Sequence, residues 1–260
     1  MEAFSKVNSL AQYFQNCQLK LNPSKTNYIC IQTQQKKHSV NYQMPDLFIG
    51  DEQLEVQEAA GFLGVKLDDS LSWHEQINAV VNKLAKGLYV LRVFTKYNNI
   101  NLSRIIYFSL FETHLTYSII LWGPYKGHVQ TAFTWQKKAI RAIAGLEPQA
   151  HCREAFIRLG ILTVPCLFIF EAVLYVRLHK IPNLNQNANK HSYNTRHKNK
   201  FSQQHRLTFF EKKPEYFGIK LYQALPSWLV NIQNNNKFKN QLKKFLLEKS
   251  YYSVEEFCGI

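Results

Sequence analysis

Aspartate is scarce in this chain of 260 residues: only four occur, and none lies beyond Asp69. Cysteine is little used as well, and its five copies are scattered and form no Cys-x-x-Cys pair. This spacing favours neither a disulfide framework nor a zinc cage, so we expect buried thiols. Long apolar runs are also missing, since the most apolar stretch, residues 161–176, contains a proline and a glutamate. It falls short of the roughly 20 residues that span a bilayer, and we expect no membrane segment.

The beginning of the sequence lacks a basic stretch followed by an apolar run, which is the pattern of a secretory signal. We therefore expect a cytoplasmic or nuclear protein and not a secreted one. Hydrophobic residues make up 46% of the chain and aromatic residues 14%, a composition typical of packed globular protein and not of a disordered chain.

The charge is unevenly distributed along the chain. Lysine and arginine exceed aspartate and glutamate by 14, and the sequence pI is near 9.5. Residues 1–70 hold 6 basic and 8 acidic side chains, which leaves 26 basic and 10 acidic ones for residues 71–260. Because such an excess of positive charge attracts polyanions, the sequence predicts a polyanionic partner for the part after residue 70.

Hydrophobic periodicity predicts one helix and a group of short strands in the N-terminal part. Apolar residues recur at helical spacing over residues 1–16, and a turn follows at Asn22-Pro23. Four runs of strand-forming composition come next, at residues 27–31, 47–49, 53–56 and 61–67. They predict a small antiparallel sheet within residues 27–67.

From Asp68 onward the pattern is helical. Ser72 and Glu75 have the spacing of a capping box, with Ser72 as the N-cap of a helix over residues 73–95. Further helices are expected at residues 102–121, 128–144, 166–180, 216–225 and 238–247. The sequence thus predicts an α+β fold that is mainly α, with a small antiparallel sheet followed by a helical bundle.

Residues 183–206 are polar and basic with almost no aliphatic side chains, which predicts a long loop or linker. The chain then divides into residues 1–70, a helical region over residues 71–182, this basic polar linker, and a C-terminal helical region over residues 207–260. No internal repeat is visible in the sequence.

Asp68 and Asp69 are adjacent carboxylates at the end of an apolar strand, an arrangement with which nucleotidyl transferases hold two divalent metals. A two-metal site needs a further acidic ligand, and Asp46 and Asp51 are the only aspartates that precede the pair. The alternative is structural, because negative charge near a helix N-terminus is stabilising by ~0.3–1 kcal/mol. We expect this structural role, and we expect no catalytic or metal-binding residue in the chain.

Histidines and cysteines are the other candidates for catalysis. His151 and Cys152 are neighbours in sequence, but no nucleophile elbow or similar motif surrounds them. His191, His197 and His205 lie in the polar linker without a nearby cysteine, so we expect no metal site there. These histidines are expected to add to a basic surface.

One basic cluster with interleaved aromatic residues is a candidate for nucleic-acid binding. Lys137, Lys138 and Arg141 fall within one turn of a predicted helix, which is the clustering that phosphate contacts need. Trp135 and Ile140 are placed to pack inward. A solvated cationic face without a ligand is the alternative.

A second basic cluster lies in the polar linker and consists of Arg196, Lys198 and Lys200. It has the same two interpretations, phosphate binding or a solvated surface. The amphipathic helix predicted over residues 238–247 docks either on a partner or on the bundle itself.

Five segments, taken together and in this order, resemble reverse transcriptases of non-LTR retrotransposons of the jockey-like kind. The matching motifs are Leu-x-Leu-Asn-x-x-Lys-Thr at residues 19–26, Phe-Leu-Gly-Val-x-Leu-Asp with Leu-x-Trp at residues 62–73, Tyr-x-x-Leu, Leu-x-Tyr and Trp-Gly between residues 107 and 123, Gln-Lys-Lys-Ala-Ile-Arg at residues 136–141, and Tyr-x-Thr-Arg at residues 193–196. His74 follows Trp73 at once, whereas the family has this histidine further on.

The resemblance implies that residues 1–70 are the end of a polymerase palm with its primer-gripping hairpin, and that residues 71–182 are the thumb. The intact parent enzyme is an RNA-directed DNA polymerase. Its catalytic aspartates, which bind Mg²⁺, would precede Met1 in the sequence. The chain is then a fragment, such as the product of a truncated gene copy. It holds no cofactor of its own and is inactive alone.

The same resemblance implies roles for four residues. Lys25 matches a motif lysine that assists the pyrophosphate leaving group, and Phe62, Leu63 and Gly64 match the primer grip. The implied partners are an RNA/DNA template–primer and the missing palm and fingers, with no small-molecule cofactor.

The sequence leaves three functions open, of which an autonomous enzyme is the third. The first is a non-catalytic region that holds a template–primer by charge and shape. The alternative is a protein-interaction or assembly module derived from such an element. Under either, apolar side chains of residues 1–67 should be exposed, because a palm remnant lacks its partner strands.

Overall fold

The computed structural model of the protein describes residues 2–33, 46–97, 99–179 and 211–259. The chain divides into two compact units, residues 1–79 and residues 80–260. The predicted linker at residues 183–206, with its basic cluster of Arg196, Lys198 and Lys200, lies outside the described residues.

The described residues of the first unit, 2–33 and 46–79, form one helix, six short strands and the beginning of a second helix. Its elements are α1 (Glu2–Asn16), a 3₁₀ turn (Pro23–Lys25), β1 (Asn27–Tyr28), β2 (Phe48–Ile49), β3 (Glu52–Gln53), β4 (Glu55–Val56), β5 (Ala59–Phe62), β6 (Val65–Asp68) and the start of α2 (His74–Thr95). Helix α1 packs against β2.

The described strands of this unit form three separate pairs in place of the single antiparallel sheet expected from the sequence. β2 pairs with β3 and β5 with β6 in antiparallel fashion, whereas β1 and β4 are parallel, with Asn27 opposite Glu55. The run of residues 61–67, expected as one strand, is the β5–β6 hairpin, because Leu63 and Gly64 both have positive φ angles and reverse the chain.

The buried core of the first unit is small. Among its described side chains, four apolar ones are buried: Leu47, Leu54, Trp73 and Ile77. The large apolar side chains exposed in its described part are Leu10, Tyr13, Leu19, Ile31, Val56, Phe62 and Leu63. The exposure expected over residues 1–67 is therefore observed for residues 5–33 and 46–67.

The second unit is helical. After the remainder of α2 come α3 (Ile100–Tyr107), a π-helical segment (Phe108–Glu112), α4 (Thr113–Thr116), α5 (Ile119–Trp122), α6 (Lys126–Ala144), α7 (Arg153–Leu159), α8 (Val164–Leu178), α9 (Pro214–Gln223), α10 (Ser227–Val230), α11 (Asn235–Lys249) and α12 (Val254–Cys258). The predicted helix over residues 102–121 is broken, because Tyr117 is extended and Ser118 is left-handed. The short helices α7, α10 and α12 were not predicted.

Helix α8 is the centre of this unit. All of its side chains are buried or half-buried except Leu178, which fits a helix that is apolar around its whole circumference. It packs against α4, α5, α6, α9, α11 and α12. The side chain of Thr163 caps its N-terminus by accepting a hydrogen bond from the Cys166 amide, and Pro165 occupies the first turn.

The fold class predicted from the sequence, α+β and mainly α, is confirmed. Buried thiols were expected, but of the five cysteines only Cys152 and Cys166 are buried, and Cys17 is exposed. Within the described ranges, no single helix is both long enough and apolar enough to cross a bilayer.

Candidate nucleic-acid interface

Asp68 ends strand β6 and organises the loop that leads into α2. Its carboxylate accepts hydrogen bonds from the amides of Ser70, Ser72 and Trp73, at 2.7–3.2 Å, and from the Ser70 hydroxyl at 2.7 Å. Burial raises the pKa of Asp68, but these hydrogen bonds to the ionised form outweigh it, and the pKa lies below its usual value. The structural alternative predicted for this carboxylate is the one that the geometry supports.

The capping box predicted at Ser72 does not form as expected. Helix α2 begins at His74, and Trp73 in front of it has a left-handed backbone with φ of 65°. The Ser72 hydroxyl lies 3.4 Å from the His74 amide nitrogen. The Asp68 carboxylate accepts hydrogen bonds from the amides of Ser72 and Trp73. The helix is therefore anchored by a carboxylate from the preceding strand.

The residues that match the primer grip lie at the tip of the β5–β6 hairpin. Phe62 is 62% exposed and Leu63 is 77% exposed. Gly64 has a φ of 80°, which a two-residue hairpin turn requires, so the turn itself explains the glycine. Lys25 is exposed at the end of the 3₁₀ turn, where it is accessible to a ligand. Their roles in binding stay predictions.

The predicted basic cluster on α6 is partly used by the protein itself. The Arg141 guanidinium donates a hydrogen bond from Nε to the Ala150 carbonyl at 2.8 Å and holds the loop after the helix. The Lys137 ammonium lies 4.7 Å from the centre of the Phe133 ring, and that of Lys138 lies 4.4 Å from the Trp135 ring.

The inward packing expected for α6 is correct for one residue and only partly correct for the other. Ile140 is fully buried, whereas Trp135 is half-buried and carries the Lys138 ammonium over its ring. Lys138 is exposed and Lys137 is half-buried. The Lys137 ammonium therefore lies over a buried ring and the Lys138 ammonium over a half-buried one, so a phosphate can reach Lys138 more readily.

Two motif residues of the resemblance meet in the core of the second unit. The buried Gln136 amide donates hydrogen bonds to the Tyr107 hydroxyl at 2.7 Å and to the Leu162 carbonyl at 2.8 Å. Its oxygen accepts a hydrogen bond from the Val164 amide at 2.8 Å. Burial raises the pKa of Tyr107 far above its usual value, so this hydroxyl stays neutral. Gln136 thus joins α3, α6 and the start of α8.

The Trp-Gly motif is also part of the core. Trp122 is fully buried. A Cβ atom added at Gly123 would collide with the ring of Phe168 and lie 2.5 Å from the Ile119 carbonyl oxygen. The motif residues near 107, 122 and 136 are therefore explained by packing, and they carry no ligand-binding group to the surface.

A stronger candidate surface lies on α2 and was not predicted from the sequence. On the exposed side of the helix, and at the two residues that follow its end at Thr95, cationic and aromatic or apolar side chains lie in the solvent. We call this the basic-aromatic face; its members are Lys83, Lys86, Tyr89, Arg92, Val93, Phe94, Lys96 and Tyr97. Tyr89 is 72% exposed and Tyr97 is 71% exposed.

The sequence did contain a signal for this face. No aspartate or glutamate occurs between Glu75 and Glu112, so all charged residues of that stretch other than histidine are lysine or arginine. The apolar stripe that predicts the helix comes from Ile77, Val80, Leu84 and their successors, and it draws attention to the buried side. Because the stretch has no acidic residue, its own side chains offer a polyanion no like charge.

The lysine-rich helix α11 docks on the bundle, which decides between the two alternatives left open for residues 238–247. Phe238, Leu242 and Leu246 are buried, and the helix packs against α8. Burial raises the pKa of Glu112, and the nearby positive charge of Lys243 lowers it. The effect of burial is the larger, so the pKa lies above its usual value. Lys243 is thus close enough to Glu112, and Lys239 to Glu171, to favour the ionised form of each carboxyl.

Other chemistry is not assembled in the described part of the chain. His151 is exposed and Cys152 is buried with its sulfur 3.5 Å from the Tyr252 hydroxyl, so the two do not form a nucleophile–base pair. Over residues 2–33, 46–97, 99–179 and 211–259, no group of three or more His, Cys, Asp or Glu side chains is placed to hold a metal ion.

Comparison with known proteins gives no match: no family model, no curated protein and no solved structure is similar to this chain.

Proposed function

We propose that the second unit binds nucleic acid, and that the chain corresponds to the thumb and adjoining regions of a retrotransposon reverse transcriptase without its catalytic aspartates. The observation that carries the binding proposal is the basic-aromatic face of α2. Lys83, Lys86, Arg92 and Lys96 supply positive charge there, and none of them pairs with a carboxylate among the described residues.

The chemistry of this face suits a nucleic acid better than other polyanions. Cations neutralise phosphates and release counterions, which gives affinity without sequence preference. Exposed aromatic rings stack on bases or pack against sugars, and each stacked base contributes about 1–3 kcal/mol. Tyr89 and Tyr97 are exposed among the lysines, so both kinds of contact are available to one strand or duplex end.

The reverse-transcriptase part of the proposal rests on the resemblance. Two of the motifs that carry the resemblance are far apart in the sequence but pack together. Their residues Gln136 and Tyr107 form a hydrogen bond, which supports this part of the proposal. Such packing is expected if the motifs are the core of one thumb-like unit. The exposed hairpin tip at Phe62 and Leu63 is compatible with the proposed primer grip.

Polymerisation by this chain alone is not part of the proposal. The Mg²⁺ of the parent enzyme needs carboxylates that are available as ligands. One Asp68 oxygen already accepts three hydrogen bonds from its own loop and the other accepts one. Asp69 beside it is buried. These residues do not fit a two-metal site, because their carboxylates are engaged by the loop or buried.

The test is binding of a fluorescent RNA–DNA hybrid, followed by anisotropy across a range of salt concentrations. We expect binding at low salt that weakens steeply toward physiological ionic strength, with equal affinity for hybrids of unrelated sequence. A neutral polymer of similar size serves as the control for nonspecific signal. No affinity for the hybrid at low salt would contradict the proposal.

The cluster on α6 is a second contact region within the same proposal. Lys137→Ala/Lys138→Ala should weaken hybrid binding and leave the fold intact, because neither ammonium holds another element of the described structure. Arg141 is best left unchanged in that variant, since its hydrogen bond to Ala150 is structural. Unchanged affinity would mean that this cluster is only a solvated face.

A protein-interaction module is the second candidate function. It is favoured by the first unit, where large exposed apolar side chains outnumber buried ones among the residues that the structure describes. Exposed apolar area of this kind marks interaction sites.

A further inference from the structure

The first unit carries an acidic strand segment, which we define as residues 46–58. Its five carboxylates are all exposed: Asp46, Asp51, Glu52, Glu55 and Glu58. No lysine or arginine occurs between Lys37 and Lys66 in the sequence. Within the described residues none of these carboxylates forms an ion pair, so the segment presents uncompensated negative charge.

Apolar side chains accompany this charge. Val56 is 42% exposed between Glu55 and Glu58, and Phe62 is exposed on the strand that follows. The unit buries few apolar side chains of its own, so covering these would add to its stability by about 25 cal/mol per Å². A surface that fits the segment must therefore be both cationic and apolar.

The chain itself has such a surface in the basic-aromatic face of α2. That face offers four cations with Tyr89, Val93 and Tyr97 exposed between them. Its charge is opposite to that of the acidic strand segment, and both surfaces mix charge with exposed apolar groups. Complementarity of this kind steers association and fixes its register.

We infer that the acidic strand segment of one copy binds the basic-aromatic face of a second copy. The segment then competes with nucleic acid for that face. This competition, unlike the self-association, rests on the proposed function. Free protein self-associates, and nucleic acid, whose charge density is higher, displaces the contact. The association is carried by exposed charges, so it weakens as salt screens them over about 10 Å at 0.1 M.

Charge exchange between two variants tests the contact directly. Glu52→Lys/Glu55→Lys removes the acidic side and Lys83→Glu/Lys86→Glu removes the basic side. By sedimentation velocity at low ionic strength we expect the unaltered protein to show species larger than a monomer that dissociate as salt is raised. Each variant alone should associate roughly tenfold or more weakly, since like charges then face each other. Mixing the two variants should restore a one-to-one pair.

Glu147→Gln/Glu154→Gln is the matched control, because it removes two exposed carboxylates from the second unit and should leave self-association unchanged. A monomer at every concentration of the unaltered protein, or a mixture of the two variants that stays monomeric, would overturn the inference. Self-association that persists in both charge-reversed variants would overturn it as well.

The competition is measured by adding the RNA–DNA hybrid to the self-associated protein. We expect the protein–protein species to be replaced by one protein–hybrid complex. If the hybrid does not bind at all, the proposed function fails while the charge-exchange result still stands or falls separately. If the hybrid binds without displacing the second copy, the two use different surfaces and the inference is wrong.

Discussion

Asp68 explains at the scale of one residue how a carboxylate can resemble a catalytic group and serve the fold. It follows an apolar strand and has a second aspartate beside it, as a metal ligand would. Three backbone amides and one hydroxyl nevertheless point at its two oxygens. The spacing in the sequence does not show where the chain turns, or that Trp73 adopts a left-handed backbone. The sequence therefore predicts two alternatives for Asp68, a metal ligand or a structural carboxylate, and the structure is needed to choose between them.

The lowered pKa of Asp68 predicts how stability depends on pH. Because the pKa is lower in the folded chain than in the unfolded one, the stabilisation is complete above the unfolded value, about 3.9, and is lost as pH falls through the folded pKa. Asp68→Asn should lower the free energy of unfolding by about 1–3 kcal/mol at neutral pH. Urea unfolding at pH 7 and in acid measures it.

The difference between Asp68→Asn and the unaltered protein should shrink as the pH is lowered, because protonation removes the same charge in the unaltered protein. A constant difference from neutral to acid pH would mean that the carboxylate charge has no part in holding the loop. Equal stability of both proteins at pH 7 would contradict the anchoring role altogether.

At the scale of the element, helix ends show why some helices were predicted and others were not. Ser253 and Glu256 have the spacing of a capping box, and the Ser253 hydroxyl does accept the Glu256 amide hydrogen bond at 3.0 Å. The same spacing at Ser72 does not begin a helix at that residue. The helix α12 is only five residues long, so periodicity could not reveal it.

The break near residue 117 could not be predicted for a different reason. Residues 100–122 contain no glycine or proline, and their apolar pattern is continuous. The chain nevertheless leaves the helix at Tyr117 and Ser118. The local sequence pattern does not contain the packing of α5 against α8, which accompanies this turn.

Close packing between α5, the turn after it and α8 gives a prediction at this scale. Gly123→Ala should destabilise the protein by about 1–3 kcal/mol, because its Cβ would overlap the Phe168 ring. Gly127→Ala is the matched control on the neighbouring helix, where nothing lies within 4 Å of an added Cβ. That change should be neutral or stabilising by up to about 0.5 kcal/mol. Thermal unfolding of both variants measures the contrast, and similar effects would contradict it.

The two units differ in core size, which makes a prediction for the whole molecule. In the part of the first unit that the structure describes, four apolar side chains are buried. In the second unit, helix α8 alone is buried along most of its length. Amides open locally where few apolar contacts hold the backbone. Hydrogen exchange followed by mass spectrometry should therefore show fast exchange in β1–β6 and the slowest exchange in α6 and α8. Equal protection of the hairpin β5–β6 and α8 would contradict this account.

For the molecule as a whole, the sequence predicts the fold class and the sign of the partner's charge more completely than it predicts the binding surface. The mainly helical class follows from apolar periodicity, which α2 and α6 obey, whereas α8 is apolar around its whole circumference. The cluster at Lys137, Lys138 and Arg141 was predicted from linear spacing, but Arg141 turned out to hold a loop. The basic-aromatic face could have been found from the acid-free stretch, while the exposure of Tyr89 required the structure.

The most direct test of the central claim is the salt dependence of hybrid binding in two matched double variants. Lys86→Ala/Lys96→Ala removes two cations of the basic-aromatic face. Lys126→Ala/Lys244→Ala removes two whose charge is already paired, with Glu255 at 2.9 Å and Glu248 at 4.0 Å. Both variants change the net charge equally, so a difference between them reports position and not total charge.

We expect the face variant to bind the RNA–DNA hybrid more weakly at every salt concentration and to reduce the slope of log affinity against log salt by up to about two units. The paired-cation variant should keep the slope of the unaltered protein. Identical slopes in the unaltered protein and the face variant would contradict the claim that this face of α2 binds nucleic acid.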